Sequence, residues 1–384
     1  MRLAFYSTIT GLPWGGSEEL WSQAAILLAR RGHEVFVNVQ CWPETPRRLT
    51  ELAEAGADVY RRRRARGGRG LMRAARHSGI NWHSQGKWLS RVRPDFALVT
   101  SSYHIDDVSV ADACLRRRIS YAINLQCASR LQWIDCRDLG LARRAYGLAK
   151  ACYVLSRENA EILSANLAMP LEHVQIVDNP YNVSRKARVP WPDGEPWRMA
   201  CVGRMHFLSK GQDLILRVLR QEKWRSRSLV VTFHGQDQGN ERQMRDLVRL
   251  WELERHVEFG GFVPRVEEIW ARNHALLLPS RYEGLPMVTV EAMLCRRASV
   301  VTCCGRNGEL VDDNETGFVA QAATVELLDE ALERAWQARH RWREMGELAA
   351  QRVSQRYSRQ PVEDFAERIE ALAGGHVSRA RSAA

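Results

Sequence analysis

The chain has 384 residues, 45% apolar and 26% charged; that is the length of two ordinary domains, and no apolar run approaches the ~20 residues that cross a bilayer. The net charge is +11, and the whole excess falls in residues 1–190, where 28 basic side chains face 17 acidic ones. No helix-turn-helix, RNA-recognition or zinc-finger pattern accompanies that charge, and the nine cysteines form no Cys-x-x-Cys pair; nucleic-acid binding, structural zinc and a disulfide scaffold are disfavoured, and a reducing cytoplasm is expected.

The stretch Met1–Tyr6 turns polar at Ser7, too soon for a signal-peptide core, and Leu3–Ser7 reads as a strand. A Gly-rich loop at Gly11–Ser17 leads into a helix over Glu18–Arg31, with Leu20, Ala24, Leu27 and Leu28 on one face and Gly32 as its stop. Glu34–Val39 is a second strand. The dense run from Arg61 to Arg69, continued by Arg73 and Arg76, reads either as a solvated loop or as a basic face for an anionic membrane, with Trp82 and Trp88 resting beside it at the inner membrane face. Strands follow at Phe96–Thr100, Tyr121–Leu125 and Cys152–Leu155, separated by helical segments.

Three prolines and a glycine in residues 185–197 predict a linker. The rhythm then restarts: strands at Arg198–Val202, Ser228–His234, Val257–Phe259, Ala275–Leu278, Ser299–Thr302 and Gly317–Val319, and helices at Gln212–Arg220, Gln243–Leu250 and Val266–Ala271. Helical segments run on from Val325, and the last residues, 374–384, are expected to be disordered. Strand–helix–strand at this spacing implies right-handed βαβ units, hence an α/β protein of two Rossmann-like parallel-sheet domains, with a ligand expected between them at the carboxyl ends of the strands. The domains are expected at 1–188 and 189–354, with the helix at 355–373 crossing back onto the first.

Three strand-to-helix loops carry chemistry. In Pro279-Ser280-Arg281-Tyr282-Glu283-Gly284-Leu285-Pro286, Glu283 sits on the loop, Pro286 suits the first turn of a helix and Glu291 follows more than a turn later. The start of that helix suits an anion, Gly284 admits a close backbone approach, and the two carboxylates would take hydroxyls on either side of a diphosphate. In Gly203-Arg204-Met205-His206-Phe207-Leu208-Ser209-Lys210-Gly211, Arg204 and Lys210 bracket a loop beyond a strand's carboxyl end, suited to charge that grows on a departing diphosphate. In Gly11-Leu12-Pro13-Trp14-Gly15-Gly16-Ser17-Glu18, Gly15 and Gly16 bare the backbone, and neither Gly-x-Gly-x-x-Gly nor the P-loop pattern is present. Read without the others, each loop is also a surface turn with solvated charges.

Taken together, in this order and spacing, these loops resemble the retaining GT-B-fold glycosyltransferases of family 4 over nearly the whole chain, along with Phe259-Gly260-Gly261-Phe262-Val263, Gly305…Glu309-Leu310-Val311 and Thr316-Gly317-Phe318. The resemblance implies transfer of a hexose from a nucleoside-diphosphate sugar to a glycan, lipid-linked or other hydroxyl acceptor, as in cell-surface polysaccharide synthesis. It assigns Arg204 and Lys210 to the diphosphate, Glu283 to the sugar hydroxyls, Glu291 to the ribose, and the backbone of Gly284, Leu285 and Pro286 to phosphates and sugar. Gly261, Phe262 and Val263 would lie near the base, and Gly15 and Gly16 over the diphosphate. No metal or other cofactor is implied, in keeping with the missing Asp-x-Asp, and retention would follow from front-face attack in which a phosphate oxygen takes the acceptor proton. A non-catalytic or epimerase-type sugar-nucleotide-binding protein on the same fold is the alternative.

Several positions depart from the family pattern. Where relatives carry a histidine after the strand at 121–125, this chain has Gln126, and His104 is the other acceptor-side candidate. Cys295-Arg296-Arg297-Ala298 replaces Cys-Gly-x-Pro, Gly305-Arg306 replaces Gly-Gly, and Cys303-Cys304 are read as small buried residues. Trp14, Trp21 and Trp133 lie on segments that would face an acceptor sugar or pack in a core.

Overall fold

The computed structural model describes residues 1–63, 80–103 and 108–381. The chain divides into two compact units, Met1–Pro180 with Gln360–Ala384, and Tyr181–Arg359.

The first unit is built on a seven-stranded sheet: β1 (Arg2–Ser7), β2 (Glu34–Gln40), β3 (Asp58–Arg62), β4 (Phe96–Ser101), β5 (Ser120–Leu125), β6 (Cys152–Val154) and β7 (Val174–Ile176). Their order is β3-β2-β1-β4-β5-β6-β7, every pair parallel. The second unit carries β8 (Trp197–Val202), β9 (Leu229–His234), β10 (Val257–Gly261), β11 (Ala275–Leu278), β12 (Ala298–Thr302) and β13 (Gly317–Ala320), ordered β10-β9-β8-β11-β12-β13 and again parallel. Central strands such as Phe-Ala-Leu-Val-Thr-Ser of β4 and Ala-Leu-Leu-Leu of β11 are buried at every position, because a parallel sheet is covered on both faces. Each unit encloses its own core: Tyr121, Tyr146 and Leu163 belong to the first, Trp224, Phe233 and Trp342 to the second.

Two strands, β3 and β7, go unread in the sequence. β3 is an edge strand, where charged residues are tolerated, so its Arg-rich end imitates a loop. Arg61 and Arg62 are therefore strand residues. Arg62 turns inward: its guanidinium donates to the Asn38 carbonyl and Oδ1 at 3.1 Å each and to the Ser7 carbonyl at 2.6 Å, and lies 4.7 Å from the Tyr6 ring centre. Trp88 also packs inward, edge-on to Tyr6 at 6.0 Å, and does not face a lipid surface. The rest of the arginine run, residues 64–79, and the side chain of Trp82 lie outside the described residues. No described helix is long and apolar enough to cross a membrane.

The segment expected as a linker, 185–197, belongs to the second unit. Arg185 explains why: it donates to the carbonyls of Ser354 (2.9 Å), Tyr357 (2.6 Å) and Ser358 (2.7 Å), closing the end of the helix Trp342–Arg356. Arg297, 1% exposed, gathers the carbonyls of Trp270, Asn273, Cys295 and Pro190 and fastens the same segment further along. Arg296 stands where the family pattern has glycine and adopts φ +62°, so the altered turn keeps its left-handed backbone. The last helix, Pro361–Arg381, takes in residues 374–381 of the stretch expected to be disordered; residues 382–384 lie outside the described residues. It docks on the first unit through Glu370, which meets Arg31 at 2.6 Å and His33 at 2.8 Å, and through Phe365 against Tyr153.

Candidate functional site

In the second unit, three loops meet at the carboxyl ends of β8, β11 and β12. The β8 loop starts at Gly203, where a Cβ would stand 3.3 Å from the Lys210 stem, so glycine lets that side chain fold back over the strand end. It closes at Gly211, at φ +66°, where a Cβ would come within 2.1 Å of the Pro279 carbonyl. Glycine is thus required twice over, and its absence of side chain brings the β8 and β11 loops into contact.

The β11 loop is clamped on both sides. Toward β8, Arg281 forms a two-pronged pair with Asp213 at 2.7 and 2.8 Å, and its N–H donates to the Ser209 carbonyl at 2.8 Å. Toward β12, Gly305 (φ +54°) presses where a Cβ would lie 2.6 Å from the Glu283 and Gly284 carbonyls, and the Arg306 N–H donates to the Gly284 carbonyl at 3.0 Å. Gly284, Leu285 and Pro286 are buried, and Pro286 precedes the helix Met287–Leu294 in an extended conformation, as its cap and not as its first helical residue.

The result is an ion pair between residues 73 apart: Lys210 Nζ donates to Glu283 Oε1, which also accepts from Ser280 Oγ at 2.8 Å. Both charged side chains are mostly buried, 14% and 12% exposed. Arg204 is exposed and makes no ion pair among the described residues. Next to both cations, His206 holds Ser209 Oγ at 2.8 Å through Nδ1; burial, then Arg204 and Lys210, push its pKa down, so it is neutral at pH 7. Glu291, one turn into the helix, is 5% exposed, and burial pushes its carboxyl up to about 7. Its Oε1 takes long contacts, 3.4 Å each, from the backbone N–H and side-chain amide of Asn182.

The β10 loop differs in being open. Gly261 has φ +64° and Phe262 is 64% exposed. Behind it, Gly260 leaves room for the His234 ring, which a Cβ would meet at 2.1 Å.

In the first unit, Gly15 caps the short turn Gly16–Glu18. Glu18 is wholly buried there, its pKa raised by burial to about 7, with Oε2 lacking a hydrogen-bond partner among the described residues. Gln126 is 4% exposed and held at both ends: its amide donates to Asn124 Oδ1 at 3.1 Å and accepts from Asn179 Nδ2 at 3.0 Å. These hydrogen bonds tie strand ends together. His104 lies outside the described residues. Trp21 is core, stacked 6.2 Å from Phe5; Trp14 donates to Glu19 at 2.8 Å; Trp133 is 67% exposed. Cys304 is buried as expected, but Cys303 is exposed. Arg306 packs over the Tyr357 ring, 5.6 Å away, and is largely withdrawn from water.

Sequence reading missed four supporting residues. Ser280 and Arg281 stand inside a motif it singled out and Asp213 two residues beyond another; Asn182 stands 109 residues from Glu291 and carried no signal.

Residues 197–338 match the family described as Glycosyl transferases group 1, a span that includes every one of these second-unit residues except Asn182. A lipopolysaccharide core biosynthesis mannosyltransferase of Rhizobium leguminosarum bv. viciae is 38% identical over 81 residues, 21% of this chain and 23% of its own length. An amylovoran biosynthesis glycosyltransferase of Erwinia amylovora is 21% identical over 248 residues, 63% of this chain and 68% of its own. Among solved structures, Anabaena HepE in complex with UDP superposes with a TM-score of 0.72 at 16% identity, covering 98% of this chain and 100% of that one. The fold is GT-B: two Rossmann-like parallel-sheet units, the second containing the stretch that matches the group 1 family.

Proposed function

We propose that the chain is a retaining glycosyltransferase that moves a hexose from a nucleoside-diphosphate sugar to a hydroxyl of a glycan or lipid-linked acceptor, without a metal ion. The observation that carries this reading is the meeting of Lys210, Glu283 and the start of the helix Met287–Leu294, with Arg204 beside them. Parallel sheets bind ligands at their carboxyl ends, and this end offers two cations, a helix start and two carboxylates of different character. The group 1 match and the polysaccharide-synthesis relatives agree with it, and the structural neighbours HepE and WaaB, the first solved with UDP and UDP-glucose, share the fold.

In this reading the donor's diphosphate takes Lys210 from Glu283, and Glu283 turns to the sugar hydroxyls. Arg204 and Lys210 then neutralise negative charge as the bond from the anomeric carbon to the diphosphate oxygen breaks. The acceptor oxygen bonds to that carbon on the same face, and its proton passes to a diphosphate oxygen, so no side chain need act as nucleophile. Glu291 accepts from the ribose, and Gly261–Val263 lie by the base.

The test is calorimetric binding of UDP, GDP and ADP, followed by donor hydrolysis and transfer in EDTA. Binding of one nucleotide and metal-free turnover with retained anomeric configuration are expected. Nucleotide binding undiminished by Lys210→Ala would sink the assignment.

A further inference from the structure

Glu291 is an unusual residue to bind anything: it is 5% exposed, and burial opposes its charge. Among the described residues, hydrogen bonds reach it only through Asn182, whose backbone N–H and side-chain amide both point at Oε1. Oε2 takes none.

Asn182 is itself exposed, yet its position is set from both sides. Tyr181 stacks edge-on against Tyr357 at 5.6 Å. Arg185 donates to the Tyr181 hydroxyl at 2.6 Å and to three carbonyls at the end of the helix Trp342–Arg356. A short piece of chain is thereby fastened in place, and the one residue in it with a free-standing amide lies over the one deeply buried carboxylate of the site.

We infer that Asn182 is a positioning residue for the donor: it orients Glu291 and favours its ionised form, leaving Oε2 to accept from a ribose hydroxyl. This rests on the proposed role of Glu291. Two donors on one oxygen fix the carboxylate plane and direct the second oxygen away from them. Both also favour the charged form that a ribose O–H prefers as its acceptor. Opposing them are burial and the nearby carboxylate of Glu267; Cys295, just past the end of that helix, is held neutral with a pKa of about 12. The contacts are long without donor, and they shorten when a ribose draws Glu291 into its charged state.

The experiment is UDP titration of the full chain by calorimetry from pH 5.5 to 9, with GDP and ADP as substitutes if UDP fails to bind. Wild type is expected to bind more tightly as pH rises through about 7. Asn182→Ala should move that midpoint up by roughly half a unit to one unit and weaken affinity about fivefold at neutral pH, with recovery at high pH. Asn182→Ser, which restores a donor, should return the midpoint toward wild type. A merely structural residue would lower affinity evenly at all pH values. Glu291→Gln separates the two levels of the argument: if it leaves the pH profile of UDP affinity intact, or if no nucleotide binds, the donor reading of Glu291 fails. If it flattens the profile while Asn182→Ala keeps the wild-type midpoint, the role of Asn182 is overturned and that of Glu291 stands.

Discussion

The carboxyl ends of the two sheets make opposite use of their polar residues. In the second unit, charged groups from separate loops meet each other: Lys210 with Glu283, Arg281 with Asp213. In the first, charged and amide groups are tied to the framework: Arg62 to the Asn38 and Ser7 carbonyls, Gln126 to Asn124 and Asn179. Thr8 Oγ1, Glu18 Oε2 and Gln40 Nε2 lie buried in that unit without a hydrogen-bond partner among the described residues. Ion pairs made between loops can be exchanged for a ligand's charges without disturbing a strand; bonds to strand carbonyls cannot. A site for an anion is therefore expected at the second sheet's end, and a stiffer scaffold at the first.

That contrast can be broken by experiment. Lys210→Ala should cut kcat/KM about 100- to 1,000-fold in steady-state transfer while circular dichroism stays unchanged, the loss typical of one removed transition-state donor. An effect no larger than that of Arg62→Ala would erase the distinction. Gly211→Ala should cost on the order of 2–4 kcal/mol in urea denaturation and abolish donor binding, since it combines φ +66° with a 2.1 Å approach to the Pro279 carbonyl.

The two buried glutamates sharpen the comparison. Glu18 and Glu291 each hold a folded pKa of about 7 against an ordinary 4.5. Between those values the folded chain keeps protons that the unfolded chain has released, so stability falls as pH rises from about 4.5 to about 7 and levels off above. Each group contributes at most ~1.4 kcal/mol per pH unit over that window. Glu291→Gln and Glu18→Gln should each flatten the slope of denaturation free energy against pH; a slope identical to wild type would mean that the carboxyls titrate normally. Arg62→Ala should cost about 1–2 kcal/mol through lost bonds to the β1 and β2 carbonyls. Trp133→Ala, at a residue 67% exposed, should change stability by less than ~0.5 kcal/mol, measured in the same denaturation series.

Much of the second unit's candidate site is legible in the sequence because its loops are local. Glycine spacing, a proline ahead of a helix and two cations beyond an apolar run are all written within fifteen or so residues of chain, and the resemblance rests on the same stretches. The first unit is less legible. Gln126 carries no local sign of its bond to Asn179, and Arg61 and Arg62 read as part of a solvated loop or basic face because an edge strand carries little apolar pattern.

Apolar runs and their spacing were enough to specify two parallel α/β sheets, since burial on both faces leaves a mark along the central strands. Partner choice was decided only by packing: Lys210 against Glu283, Asn182 over Glu291, Arg185 and Arg297 drawing the presumed linker into the second unit. Such pairs join positions 73 to 172 apart, and no local periodicity encodes which distant loop a side chain will face.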